Sequence, residues 1–420
     1  MPAMLSNEYI GSAEALAVNG GRRTATEPFA RWPYYPQTVI AAVAEVLRSG
    51  RVNYWTGEEG EKFEKEFAAY CGAKYAVAVA NGSVALELAL RALGIGPGDE
   101  VIVPSRTFIA SATCVMLCGA TPIFADVNLE SQTLEIDSVR RLISPRTKAI
   151  IAVHLAGWPC AMDELMELAA QHSLYVIEDC AQAHGARYKG RCVGTIGDIA
   201  AFSFCQDKII STGGEGGMVT TNDAALWEKM WSYKDHGRDF ALSKMKPGTG
   251  FRWIHNTIGS NFRLTEMQSA IGRMQLQELD DQLRIRRHYA WLLTRRFVHI
   301  PGLRVPVPSP DIQPAYYRFY AFVEPEQLAS GWNRDRVLEA ICAEGVPGGV
   351  GSCSEIYLEK AFPGSTRPGE GLLNAKRLGE TSLAFLVHPT LSEINIRQTC
   401  DAVEKVMNTA TYPHEWHSVA

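Results

Sequence analysis

From residue 75 onward, short apolar runs alternate with amphipathic stretches, and this rhythm restricts the possible fold more than any other feature of the chain. The runs 75–80, 100–104, 122–126, 149–153, 175–179, 199–204 and 217–221 read as strands. The segments 83–93, 108–118, 162–172 and 224–233 carry helical spacing between them. Helices are also expected at 38–49, 63–70 and about 263–293. Strand–helix alternation of this kind predicts an α/β domain with a mainly parallel central sheet.

After about residue 295 the pattern changes. Pro301, Pro306, Pro308, Pro310 and Pro314 mark a loop-rich stretch, followed by an alternating strand at 316–323 and a helix at 334–344. Segment 347–371 reads as loop, and 393–407 as a closing helix with Ser392 as its N-cap. The expected organisation is an N-terminal arm (1–30), a large domain (31–294) and a smaller C-terminal α+β domain (295–420). The length of 420 residues suits more than one domain.

Composition narrows the function classes. A net charge of −5 leaves no electrostatic footprint for nucleic acid, so no nucleic-acid partner is expected. The ten cysteines are scattered without a CxxC pair, so neither a disulfide framework nor a metal site is expected. Cys114 and Cys118 read as a reduced, buried pair, and many free thiols suit a reducing cytoplasm. No run of about 18 apolar residues suggests a membrane span, and the first 26 residues carry no secretory-signal pattern.

The chemistry centres on Lys208. The apolar strand Val176-Ile177-Glu178-Asp179 ends in acid, and Phe202-Ser203-Phe204 leads through Asp207 to Lys208 and the glycine-rich Gly213-Gly214-Glu215-Gly216-Gly217. A lysine can form a Schiff base with pyridoxal phosphate (PLP), and an aspartate can keep the pyridine nitrogen protonated. Asp179 sits at a strand's C-terminal end, where sites of open parallel sheets form, whereas Glu178 points to the other face. Asn81-Gly82-Ser83 before an apolar helix offers backbone N–H donors for a phosphate, although an ordinary helix cap looks the same. Gln182 is a candidate donor to the ring hydroxyl oxygen, and Ser203 to the phosphate. Phe108 is a candidate to cover the ring, and equally a core aromatic opening a helix. His184 reads as a structural or solvated loop histidine.

Taken together, these segments resemble the DegT/StrS family of PLP-dependent sugar aminotransferases, within the aspartate aminotransferase fold (fold type I). The resemblance rests on 81–86, 98–104, 145–150, 153–157, 177–185, 202–208, 214–217 and 259–266, and it runs from about residue 33 to the C-terminus. It implies that Lys208 bonds the cofactor and shuttles a proton, and that Asp179 pairs with the pyridinium. Gln182 then contacts the ring oxygen, Gly82, Ser83 and Ser203 bind the phosphate, and Phe108 stacks on the ring. Asn261 would reach the phosphate of a neighbouring subunit's cofactor, which implies a homodimer with shared active sites. The implied reaction moves an amino group from L-glutamate, or glutamine, to a keto-sugar, with a nucleotide-linked sugar expected.

Segment 348–357 has no His where many members carry one, and 237–255 reads as a variable insertion, as a flap or a plain surface loop. A dehydratase subset of the family has His at the Schiff-base position. Lys208 therefore favours amino transfer over keto-sugar dehydration, a cyclitol ketone remains an alternative acceptor, and an intact Lys208–Asp179–Gln182 set disfavours a non-catalytic regulator.

Overall fold

The computed structural model describes residues 15–245 and 251–411. Parts of the expected arm (1–14), of the insertion (246–250) and of the chain end (412–420) lie outside the described residues. Seven strands form the main sheet: β1 (Tyr75–Val79), β2 (Glu100–Pro104), β3 (Thr121–Ala125), β4 (Thr147–Val153), β5 (Tyr175–Asp179), β6 (Ile199–Ser203) and β7 (Gly217–Thr221). Their spatial order is β1-β7-β6-β5-β4-β2-β3. Neighbours from β3 to β6 pair in parallel, while β7 runs antiparallel to both β6 and β1. The reason lies in the connection: β6 reaches β7 through the loop that carries Lys208, without a crossover helix, so the chain must return antiparallel.

Both faces of the sheet are covered, as the strand–helix rhythm requires. On β4, Ile150 and Ala152 join a core with Phe63, Phe67 and Leu165, while Ala149, Ile151 and Val153 join a second core with Leu88 and Val115. The same alternation on β5 places Val176 with the first core and Ile177 with the second.

A second, antiparallel sheet contains β8 (Leu303–Arg304), β9 (Phe319–Val323), β10 (Gly348–Gly349) and β11 (Ser382–Phe385), in the order β8-β9-β11-β10. Helices Arg334–Ala343 and Glu393–Ala410 help build its core. Helix Glu266–Phe297 ties the two sheets together. Its 32 residues span about 48 Å, with Leu276, Leu279 and Leu283 in a main-sheet core and Ala290, Leu293 and Phe297 in the core of the second sheet. A capping box between Thr265 and Gln268 starts it.

Most expected elements appear within a few residues of their predicted bounds, and Ser392 caps the closing helix as expected. Three differences matter. The helix expected from 108 begins at Ala110, leaving Phe108 in the connection. The strand expected from 316 begins at Phe319, because Tyr316 adopts a φ of 50° that no strand accommodates. Helices Ile136–Leu142 and Leu373–Thr381 and strand β11 were not expected; each is short, and β11 is apolar without a turn signal before it. The described ends of the 237–255 insertion are tied down. The Asp239 amide donates to the Ile254 carbonyl (2.7 Å), and Phe240 packs on Trp227 and Trp231.

Candidate active site

The C-terminal ends of β1, β2, β4, β5 and β6 open into one cleft of about 1130 Å³, closed on its far side by residues of the second sheet. Gly82, Ser83, Phe108, Asp179, Gln182, Ser203 and Lys208 all line it. Asn261 does not. It is exposed and makes a bridge to Asp235, away from the cleft wall.

Helix Gly82–Ala92 aims its N-terminus at the cleft. The Asn81 side chain accepts the Val84 N–H (3.0 Å), which fixes the first turn. Strand β6 crosses so close to this turn that a Cβ at Gly82 would fall 2.6 Å from that of Ser203. Only glycine allows the approach, which sets the Ser203 hydroxyl beside the helix N-terminus and completes an anion cradle.

Asp179 is buried (5% exposed). The Ser111 hydroxyl donates to its Oδ2 (2.8 Å) and the Ala181 N–H to its Oδ1 (3.1 Å). Burial pushes its carboxyl above the usual range, against the lowering effect of those two bonds and of the Lys208 charge. Gln182 accepts the Ala156 N–H through Oε1 (2.7 Å), so its amide nitrogen is the remaining donor. Phe108 lines the cleft 65% exposed, a ring with a face available for stacking.

Lys208 is held from both sides. The Trp32 indole N–H donates to its carbonyl (2.8 Å), and its own amide donates to the Cys205 carbonyl (3.0 Å). Its Nζ lies 3.7 Å from Asp207 Oδ1 and 4.8 Å from the centre of the Tyr317 ring. The Tyr317 hydroxyl donates to the other Asp207 oxygen. Burial works to raise the Asp207 carboxyl, but Lys208 and Tyr317 hold it below its ordinary value.

Glu178 faces away, as strand parity predicts. One oxygen accepts from His154 Nε2 (3.0 Å) and the Gly194 N–H (2.8 Å), the other from the Ile196 and Gly197 N–H groups (both 2.8 Å). His154 Nδ1 accepts the Cys160 N–H (3.0 Å), so the imidazole proton sits on Nε2. His154, Glu178 and Cys180 lie close enough together to suggest a metal site, but the carboxylate is already saturated with donors. His184 is neither solvated nor in the cleft wall. It is buried between Phe202 and Phe204, and burial followed by the Lys208 charge pulls its imidazole down to about 3. All ten cysteines are unpaired, with Cys114 and Cys118 buried as expected.

Sequence reasoning overlooked Ser111, Tyr317 and Arg318. Ser111 lies one helical turn beyond Phe108, a spacing that pointed to it; Tyr317 and Arg318 come from the irregular strap before β9 and carried no local signal.

The groups at this site suit PLP: an anion cradle, a buried carboxylate, an amine and an exposed aromatic ring around one cleft large enough for a cofactor and a substrate. Comparison with known proteins agrees. The model of the DegT/DnrJ/EryC1/StrS aminotransferase family matches residues 34–404. The chain is 40% identical over 365 residues to dTDP-3-amino-3,4,6-trideoxy-alpha-D-glucose transaminase of Streptomyces venezuelae, covering 87% of this chain and 91% of that one. It is 43% identical over 349 residues to GDP-perosamine synthase of Caulobacter vibrioides, covering 82% and 89%. Among solved structures, the aminotransferase from Psychrobacter cryohalolentis superposes with a TM-score of 0.89 at 51% identity, over 91% of this chain and all of that one. The chain therefore belongs to the DegT/DnrJ/EryC1/StrS family and is a PLP-dependent sugar aminotransferase of fold type I.

Proposed function

We propose that this enzyme transfers the amino group of L-glutamate, or of glutamine, to a nucleotide-linked keto-sugar, in the making of amino sugars for polysaccharides. The observation that carries the reading is the convergence of Lys208, Asp179 and the Gly82–Ser203 cradle on one cleft with room left for a second ligand. The two curated relatives named above act, by their names, on dTDP- and GDP-linked sugars, which supports a nucleotide handle.

Bound PLP supplies an electron sink for the donor's α-carbanion and carries nitrogen between two half-reactions. The protein's residues do the rest. Lys208 Nζ would hold the cofactor and, once released, would act as the base that accepts the proton from the donor's α-carbon. Asp179 keeps the ring nitrogen protonated. The Gly82 and Ser83 N–H groups and the Ser203 hydroxyl would hold the phosphate, the Gln182 amide nitrogen would donate to the ring oxygen, and Phe108 would cover the ring face and exclude water. The same groups then run in reverse on the keto-sugar.

Residues 31–294 form the cofactor domain in this reading, 295–420 the smaller domain and 1–30 an arm. The assembly is a homodimer in which Asn261 reaches the phosphate site of the partner subunit, and its exposed position suits that role. The enzyme works in the cytoplasm. Among the described residues no helix is long and apolar enough to cross a membrane.

The visible spectrum of the purified holoenzyme, before and after L-glutamate, tests the donor half. Bleaching of the yellow band supports it, and an unchanged band calls for glutamine as donor. Incubation with dTDP-, GDP- and UDP-linked keto-sugars, followed by mass spectrometry, tests the acceptor half. Gain of nitrogen in the sugar supports amination, whereas loss of a hydroxyl without nitrogen would establish dehydration instead. Lys208→Ala should abolish turnover, and a variant with normal rates would remove Lys208 from the mechanism.

A further inference from the structure

Arg106 lies two residues beyond the end of β2 and precedes two residues of the cleft wall, Thr107 and Phe108, yet its own side chain is fully buried (0% exposed). Its Nε donates to Gln132 Oε1 (3.0 Å). One terminal nitrogen donates to the Ser352 carbonyl (3.1 Å) and to the Ser354 hydroxyl, the other to the Ser382 hydroxyl (3.2 Å). Ser382 passes the contact on, donating to the Val350 carbonyl (2.8 Å). The guanidinium also lies 5.7 Å from the centre of the Tyr320 ring, whose hydroxyl accepts the Ser352 N–H (2.9 Å). Three of its four hydrogen bonds therefore cross from the main sheet to segment 350–354 or to the serine that supports it. Gly351, Ser352 and Cys353 of that segment line the cleft opposite the cofactor residues.

The segment is also held by the Tyr320 hydroxyl, and just beyond it the Ile356 N–H donates to the Ser105 carbonyl (3.0 Å). Gly351 has a φ of 80°, and a Cβ there would fall 2.1 Å from the Tyr320 hydroxyl oxygen, so the chain lies flat on that ring. The hydrogen-bonding partners of Arg106 are all neutral oxygens. A buried cation with such partners needs its donors satisfied, and a planar fork meets four separated acceptors where an ammonium cannot.

We infer that Arg106 is a positioning residue for the acceptor: it sets the 351–354 wall, and hence which sugars fit, without touching cofactor or donor. This rests on the reading that the second half-reaction takes a sugar. The test compares wild-type holoenzyme with Arg106→Lys and with the milder Ser354→Ala. Three quantities are read: the rate at which L-glutamate bleaches the cofactor band with no sugar present, the KM for whichever nucleotide-linked keto-sugar of the panel wild type converts, and the rate at which iodoacetamide alkylates Cys353, mapped by peptide mass spectrometry. Cys342, exposed on a different element, is the internal control.

Arg106→Lys should raise the acceptor KM by about tenfold or more, as misplaced binding groups do. Cys353 alkylation should change severalfold with Cys342 unchanged, and the donor half-reaction should stay within about twofold. Ser354→Ala should move the same quantities the same way by about threefold, and it carries the test if Arg106→Lys does not fold. An unchanged acceptor KM, or a donor half-reaction that falls in parallel with it, overturns the inference. A wild-type enzyme that converts no sugar overturns the acceptor reading itself and the role of Arg106 with it, whereas the Cys353 measurement reports separately on whether Arg106 holds the wall.

Discussion

Glu178 and Asp179 are consecutive carboxylates on one strand, both buried, and they have opposite fates. Glu178 turns into the core and receives four hydrogen bonds, three of them from backbone N–H groups. Those bonds hold its carboxyl below the usual range although burial works to raise it. Asp179 turns to the cleft with two donors, and there burial wins, leaving its carboxyl above the usual range. One acid is fully satisfied and fixes the loop 194–197. The other is left under-satisfied by the protein, as befits a group whose partner is a cationic ring nitrogen. Burial alone therefore does not mark a functional acid; the marker is burial without enough donors.

The largest effect that can break this contrast is on Asp179. Asp179→Asn should lower the rate of the donor half-reaction about 10³-fold, the scale expected on removing one electrostatic partner of a developing charge. Stopped-flow absorbance with L-glutamate reads it, and a rate within tenfold of wild type would move the ring-nitrogen contact elsewhere. Glu178→Gln should do the reverse, destabilising the fold by about 3 kcal/mol, because an amide cannot accept four hydrogen bonds and would set a donor against backbone donors. Urea unfolding checks this, and an inactive but normally stable Glu178→Gln enzyme would erase the distinction between the two acids. Ser111→Ala is milder. It removes a bond that lowers the Asp179 carboxyl, so the carboxyl moves further up, and activity should fail at a higher pH on the acid side, with about a tenfold loss at neutral pH. A pH profile of the donor half-reaction decides, and an acid limb that stays in place would show that Ser111 only packs.

Much of this was readable in the sequence, and for a physical reason. Strand parity follows from local geometry, so the opposite facings of Glu178 and Asp179 needed no tertiary knowledge. Apolar runs at 175–179 and 199–204, which carry Asp179 and Ser203 near their ends, announce strand ends, which is where parallel sheets open their sites. What escaped depends on contacts far apart in the chain. Tyr317 meets Asp207 across 110 positions, and Arg106 meets Ser354 across 248, with no periodicity to signal either. The expected helix start at 108 overran because sequence spacing cannot separate a helical residue from one in the turn before it. That error hid the exposure of Phe108, the property that distinguishes a stacking ring from a core one.

The smallest effect is also the sharpest test of the contrast, because the two acids should respond to pH with opposite sign in the cofactor-free protein. Glu178 titrates lower folded than unfolded, so its contribution is full above about pH 4 and is lost as pH falls through the folded value. Asp179 titrates higher folded than unfolded, so ionising it destabilises the fold progressively as pH rises from about 4 through the raised value, and the penalty is complete at neutral pH. Asp179→Asn apoprotein should therefore be more stable than wild-type apoprotein at pH 7, by about 1 kcal/mol or a few degrees in Tm. The gap should close near pH 4, where the wild-type carboxyl is itself neutral. Thermal unfolding of both apoproteins across that range measures it. A variant no more stable at pH 7 would mean that Ser111 and the Ala181 amide already offset the whole cost of burial, and Asp179 would then belong with Glu178 as an acid the fold has fully satisfied.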